Sequence, residues 1–416
     1  MNLSVLYCAA HAHFPDTEPL GGGKAVADYL VREWSGEPGR GTAIDPGGRD
    51  GPIAEVTVLS PRSLGIPLVQ SLTGMTAWEY ARFCRQFGRA ATAEILRHDP
   101  RACVVLSNDI SEGPDFALLG ARGYRLVTIF HVDVVEYFTR FYLRGLVRPE
   151  TAARWSRFGW LPDLLQLVFH QQADAVRHSA RLVVPSAPMK ETIRRCYPWC
   201  DAGKIMVLPW GNIAPATTAS GDACAVQWFP IADDEFVILT LSRLSPEKGI
   251  ERLLAALPYL DDLTKLRVFI SGGAAYMQGR TYERKLRRLA ARAPVPVEFT
   301  GHVTGSRKAA LLERADLFVS PSRHESYGLT IEEALAAGCR AISHAHHGAR
   351  GQVVDCGDPQ QLASAIRAAV TDGRTRKPAV PSPARADTAA GLMAALQALA
   401  REPAVASPPG SHHGLP

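Results

Sequence analysis

"DLFVSPSRHESYGLTIEEALAAG" (316–338) reads as a strand, a loop and a helix in immediate succession. "DLFVSPS" is a short apolar run, Gly328 opens the helix, and Gly338 closes it as a C-cap. Glu325 then lies in the loop, and Glu333 sits about a turn and a half into the helix. The helix start offers N–H groups near Tyr327, Gly328 and Leu329 that have no partner within the helix, which suits a phosphate. Two carboxylates repel a phosphate, so they are expected to accept hydrogen bonds from neutral hydroxyls instead. A diphosphate between two hydroxyl-bearing rings satisfies both demands, and that is a nucleotide sugar. The competing reading makes Glu325 and Glu333 ordinary acids favoured by the helix dipole, the role assigned here to Glu332.

The same strand-to-helix grammar extends in both directions. "FVILTLSRL" (236–244), "LRVFISGG" (266–273), "VEFTGHV" (297–303) and "CRAISHA" (339–345) read as further strands, most of them separated by amphipathic helices. Upstream, "NLSVLYCA" (2–9), "AEVTVLS" (54–60), "CVVLSN" (103–108), "YRLVTIFHV" (124–132) and "ARLVVPS" (180–186) repeat the pattern. Alternating strands and helices build parallel sheets. The chain therefore reads as α/β with two doubly wound, Rossmann-like domains. The expected limits are an N-terminal domain over 1–212 and a C-terminal domain over 213–371. A linker over 372–387, a last helix over 388–402 and a disordered tail over 403–416 follow. The boundary falls in the turn-rich stretch 209–225, and the Gly/Pro-rich stretch 36–52 reads as a surface loop.

Composition fits this picture. The 416 residues suffice for two or three domains, and 46% apolar with 21% charged residues describes a soluble globular chain. The net charge of +5 is too small to argue for nucleic acid, and it suits an anionic small ligand. The eight cysteines are scattered and read as reduced thiols, although Cys196 and Cys200 are spaced to allow a bridge. "MNLSVLYCAAHAH" lacks the marks of a signal peptide, and no apolar run is long enough to span a membrane, so a cytoplasmic location is expected.

Three further segments belong at the carboxyl ends of the strands. Gly21, Gly22 and Gly23 follow the first strand and precede a helix expected from Lys24, an arrangement that lets backbone approach an anion. It is not a GxGxxG dinucleotide fingerprint. "LSRLSPEKGIERLL" (241–254) delivers Arg243 and Lys248 to one corner, a planar clamp and a point charge suited to a diphosphate. His131 ends an N-domain strand, with Asp133 and Glu136 as weaker neighbours. Against these stand plain alternatives: a flexible triple glycine, a solvated lysine and a structural histidine.

"SRLSPEKG" and "PSRHESYGLTIEEALAAG" resemble the two signature segments of the retaining glycosyltransferases of family four, which have the GT-B fold, two Rossmann-like domains facing across a cleft. Glu325 and Glu333 match that family's E-x7-E motif, and the likeness covers most of residues 1–370. The resemblance implies that Arg243 and Lys248 hold the donor diphosphate, Glu325 the donor sugar and Glu333 the ribose. It implies that the Gly22–Gly23 loop closes over the phosphates, and that His131 sits beside the anomeric centre. The base would lie against backbone near "TGHV" (300–303), which includes His302 and Val303. The chain departs from the family in having Trp210-Gly211 where Asn-Gly is usual, and in the short run "HAHHGARGQVVD". In that run His344, His346 and His347 suggest a solvated or phosphate-facing loop rather than a metal site.

The expected reaction is transfer of a glycosyl group from a UDP- or GDP-linked donor to a small-molecule or glycan acceptor, and the resemblance implies that anomeric configuration is retained. There is no Asp-x-Asp motif, so neither a metal nor a cofactor is expected, and cations with a helix start stabilise the leaving group. Epimerisation, phosphorolysis and binding without turnover are the alternatives on the same fold. Residues 137–170 mix aromatics with arginines and read as an acceptor pocket or, as the lesser reading, a membrane-facing patch, with a surface helix that has one buried face as the plain alternative. The basic helix over 282–293 reads as a surface helix with one buried face. Either a monomer or a homodimer is compatible with these features, and no nucleic acid is expected as a partner.

Overall fold

A computed structural model describes residues 3–12, 21–35, 41–43, 54–67, 75–213, 229–275, 278–373 and 385–402. The first lobe runs β1 (Leu3–Cys8), α1 (Gly22–Ser35), β2 (Gly41–Ala43), β3 (Ala54–Leu59), α2 (Ala77–Ile95), β4 (Cys103–Ser107), α3 (Phe116–Ala121) and β5 (Arg125–Ile129). Three helices come before the next strand: α4 (Val134–Phe141), α5 (Pro149–Ala153) and α6 (Asp163–His178). β6 (Arg181–Val184), α7 (Ala187–Cys196) and β7 (Ile205–Val207) complete the lobe. Its sheet has the order β2-β3-β1-β4-β5-β6-β7 and is parallel apart from the β2–β3 pair.

The second lobe contains β8 (Phe236–Leu241), α8 (Ile250–Ala256), β9 (Leu266–Ser271), α9 (Gly279–Ala290), β10 (Val297–Gly301), α10 (Gly305–Arg314) and β11 (Leu317–Ser320). α11 (Leu329–Ala336), β12 (Arg340–Ser343), β13 (Gln352–Val353) and α12 (Pro359–Thr371) follow, then the last helix α13 (Arg385–Arg401). This sheet is parallel with the order β10-β9-β8-β11-β12-β13.

Both sheets are buried on two faces, which explains their continuous apolar strands. Leu6 and Cys8 of β1 enter one core while Val5 and Tyr7 enter the opposite one. In β8, Ile238 and Val237 divide in the same way. The strand order reverses between β1 and β4 in the first lobe and between β8 and β11 in the second. Such reversals open crevices at the carboxyl ends of the strands.

Several expectations shift in detail. The first helix starts at Gly22, two residues early, so Gly22 and Gly23 form its first turn instead of a loop before it. β7 and β13 were not anticipated, and β2 lies inside the stretch read as a loop. The rest of that stretch, most of the 209–225 boundary, most of the 372–387 linker and the 403–416 tail lie outside the described residues. The last helix returns to the first lobe: Leu392 and Leu396 are fully buried beside Tyr29 and Leu106, and Trp34 Nε1 donates to Ala389 O at 3.3 Å. Full burial of a leucine is worth about 1.5–3 kcal/mol, so this helix is an integral layer of the first lobe. Cys196 and Cys200 are buried and unbridged. The helix expected over 282–293 buries Tyr282 and Leu286 on one face, as read from the sequence.

Candidate active site

The carboxyl ends of β8 and β11 in one lobe and of β1, β4 and β5 in the other line a single cleft of about 1500 Å³. His131, Arg243, Lys248, Glu325 and Glu333 all line it, together with Gly22, Gly23, His302, Val303, Tyr327, Gly328 and Leu329. Asp133 and Glu136 do not line it. Asp133 caps α4 by accepting from Glu136 N at 2.8 Å, and Glu136 lies 3.6 Å from Arg140.

The cationic corner forms because β8 ends at Leu241 and a 3-10 turn over Pro246–Lys248 redirects the chain. Gly249 takes φ 60°, and a Cβ there would lie 2.5 Å from Pro321 O, so this close crossing requires glycine. Lys248 Nζ donates to Glu325 Oε1 at 2.6 Å, and Ser322 Oγ donates to the same oxygen at 3.0 Å. Burial opposes ionisation of Glu325, yet Lys248 and Ser322 hold its pKa down to about 2. The residues expected to take phosphate and sugar separately are therefore already paired. An ammonium with three protons can keep the carboxylate and still donate to an incoming phosphate.

α11 starts on Gly328 at φ 80°, where a Cβ would lie 2.8 Å from Gly348 O. Gly348 N donates to Glu325 O at 3.0 Å, so the short loop after β12 clamps the segment that carries Glu325. Its histidines are part-buried and none of them lines the cleft, which differs from the solvated or phosphate-facing loop expected. The His346 ring nitrogens are buried without hydrogen-bond partners, and burial drives its pKa down to about 4. His347 lies 5.8 Å from His324, whose own pKa burial lowers to about 3. His324 in turn meets Tyr137 and Phe141 of the other lobe edge-on. No group of three or more metal-ligating side chains occurs among the described residues.

Glu333 points into the cleft, and Glu332 points away to receive Arg350 Nε at 2.7 Å, as the helical spacing predicted. Lys308 Nζ lies 2.6 Å from Glu333 Oε2, an ionic contact without hydrogen-bond geometry. Sequence reading passed over Lys308. Its signal was a lysine in the first turn of the helix that follows "TGHV".

Across the cleft, a Cβ on Gly21 would lie 3.4 Å from the Arg243 guanidinium, and one on Gly22 would lie 3.5 Å from Leu329. A Cβ on Gly23 would meet Asp109 at 3.1 Å and the His131 ring at 3.6 Å. The glycine turn thus brings bare backbone between the cationic corner and His131. The Nε2 of His131 is buried without a partner, and burial lowers the ring's pKa, so it is neutral at pH 7. Trp210, the departure noted above, is buried with its ring 5.9 Å from His131. Gly211 N donates to the Tyr327 hydroxyl at 2.8 Å, which ties this crossover to the start of α11.

A second cluster was missed. His11 lies 3.5 Å from Asp109 and 3.3 Å from Glu112, and the Tyr80 hydroxyl donates to Glu112. Burial opposes the charge on His11, but the two acids outweigh it and raise its pKa to about 9. His11 follows the end of β1 and both acids follow the end of β4, so strand position alone would have selected these three. Beside this cluster the wall turns apolar, with Val134, Tyr137, Phe138, Phe141, Leu164 and Leu167.

Residues 227–382 match the family model described as glycosyl transferases group 1. A GDP-mannose-dependent alpha-mannosyltransferase of Mycolicibacterium smegmatis is 29% identical over 239 residues, covering 56% of this chain and 53% of that protein. An alpha-monoglucosyldiacylglycerol synthase of Streptococcus pneumoniae is 34% identical over 27% of this chain and 25% of its own length. The chain thus spans between about a quarter and about half of these curated relatives. Among solved structures, Anabaena HepE in complex with UDP-glucose superposes with a TM-score of 0.60 at 16% identity, over 94% of this chain and 95% of that one. Sucrose-phosphate synthase from Thermosynechococcus elongatus gives 0.60 at 18%, over 96% of each chain. Residues 227–382 are therefore similar to the group 1 glycosyl transferases, and the chain as a whole has the two-lobed α/β GT-B fold.

Proposed function

We propose that this chain is a glycosyltransferase that moves a sugar from a nucleoside-diphosphate donor to an acceptor hydroxyl, with retention of anomeric configuration and without a metal. One observation carries the reading. Arg243, Lys248, Glu325, Glu333 and the start of α11 converge on one interlobe cleft. Arg243, Lys248 and the first N–H groups of α11 would hold the diphosphate and stabilise the charge that develops as the bond from C1 to the phosphate oxygen breaks. Glu325 would accept from the hydroxyls of the transferred sugar, and Glu333, beside Lys308, from those of the ribose. The base would lie by His302 and Val303. The acceptor oxygen then bonds C1 on the face the phosphate leaves, and its proton passes to the departing phosphate oxygen. His131, neutral and held between Gly23 and Trp210, would border the anomeric carbon and help exclude water.

The test is incubation with a panel of UDP- and GDP-linked sugars, with and without candidate acceptors, in the presence of a chelator. The expected result is slow release of the free nucleoside diphosphate without acceptor, faster release with one, and a product whose anomeric proton coupling matches the donor. Isomerised donor, sugar phosphate formed from inorganic phosphate, or tight binding with no turnover would each replace this reading. Loss of activity on chelation would remove its metal-free part.

A further inference from the structure

We propose that residues 142–160, at the N-lobe rim of the cleft, dock the protein on an anionic phospholipid surface. Between α4 and α6 the chain exposes Tyr142 (53%), Leu146 (87%), Phe158 (45%) and Trp160 (76%). Single exposed apolar side chains are common on soluble proteins, whereas four within nineteen residues of chain, two of them in ring contact, point to an interaction surface. Leu146 projects from a turn in which Arg144 takes φ 51° and Gly145 φ 71°. Arg144 is the one non-glycine residue with positive φ among the described residues. A tight, left-handed turn thus presents a leucine to solvent. Phe158 and Trp160 lie 5.7 Å apart, a paired aromatic wedge further along.

The unpaired charge along this excursion has one sign. Arg144, Arg148, Arg154 and Arg157 are all exposed, and none forms an ion pair among the described residues. The single acid of the excursion, Glu150, is neutralised by Arg195 at 3.1 Å. Exposed apolar side chains interspersed along the chain with exposed arginines match a bilayer interface, where headgroup phosphates and the acyl boundary are offered together.

The patch also runs into the cleft. Tyr142 belongs to both, stacked on Phe138 at 5.3 Å, and the cleft wall beyond it is the apolar run from Val134 to Leu167. α2 flanks the same rim: it is tied to α6 by Arg85 and Asp163 at 2.6 Å, and it exposes Trp78 (69%) beside the cleft-lining Ala77. An acceptor carried by the lipid would therefore enter along apolar side chains towards His131 and the glycine turn.

The test is flotation of the full chain with vesicles of phosphatidylcholine alone and of phosphatidylcholine mixed with phosphatidylglycerol. The expected result is binding that requires the anionic lipid and weakens with salt. Arg154→Gln with Arg157→Gln should lower partition by roughly 25-fold, because each cation near such a surface is worth about a fivefold factor. Phe158→Ser with Trp160→Ser should weaken binding while leaving its salt dependence in place. Melting and acceptor-free donor turnover should be unchanged in both variants, which excludes misfolding. Equal binding to both vesicle types, wild-type binding by both variants, or a dimer in place of vesicle binding that Trp160→Ser dissolves would each overturn the proposal. Flotation is read without a donor sugar, so its failure is distinguishable from failure of the transferase reading.

Discussion

Replacing Lys248 with alanine removes one charge from a pair whose side chains are only 12% and 17% exposed. Glu325 then keeps its burial and loses its main counter-charge. In the intact protein its pKa is lowered from 4.5 to about 2. At about 1.4 kcal/mol per pH unit, that preference for the charged form is worth about 3 kcal/mol at pH 7. The variant should be destabilised by about that much in urea unfolding, because a buried charge is left uncompensated. The sign reverses with pH in an informative way. In the wild type the contribution of Glu325 is complete above pH 4.5 and is lost as pH falls through about 2. In the variant, burial without the lysine raises the carboxyl's pKa, so stability is retained at low pH and lost as pH rises. The gap between the two proteins should therefore be widest at pH 7 and narrow as pH falls through 4 towards 2. Calorimetric titration with UDP or GDP should show roughly a 10- to 100-fold loss of affinity, the worth of one charged hydrogen bond. Adding Glu325→Ala should restore most of the stability and none of the nucleotide affinity. A gap independent of pH, or wild-type stability together with wild-type affinity, would show that the Lys248–Glu325 pair does not play this part.

Glu333→Gln should raise the donor KM by about tenfold through a weaker hydroxyl contact, with kcat little changed; a loss confined to kcat in steady-state assays would contradict the ribose role. Gly328→Ala should destabilise by about 1–3 kcal/mol in the same unfolding assay, since the position holds φ 80° and its Cβ would lie 2.8 Å from Gly348 O. Burial keeps His324 and His346 neutral, with pKa values of about 3 and 4, beside Arg140, His347, Lys248 and Glu325. Their folded values lie below the unfolded one, so the contribution of these two groups should be constant above about pH 6.5 and be lost as pH drops towards 4, by on the order of 5 kcal/mol. His324→Phe, which can keep the edge-on contacts with Tyr137 and Phe141, should flatten that acid limb in a pH series of melting curves; an unchanged limb would assign it to other groups.

Local chemistry made much of this protein legible from its sequence. Strand and helix periods are properties of neighbouring residues, so β1, β3–β6 and β8–β12 could be placed from the amino-acid pattern alone. The corner glycines and the spacing of Glu325 and Glu333 are equally local, and the fold brings these residues to one cavity with Arg243, Lys248 and His131. Short edge strands such as β7 and β13 escaped notice because a few residues carry too little pattern. Partnerships depended on tertiary structure. Lys248 meets Glu325 77 positions away, Lys308 reaches Glu333 from another helix, and His11 is charged only because β4 brings Asp109 and Glu112 beside it. The return of α13 to the first lobe was hidden for the same reason: its apolar face specifies burial but not the surface that buries it. A sequence records which groups are present and their local geometry, whereas electrostatic energy depends on distances and dielectric surroundings that exist only once the two lobes have folded and met.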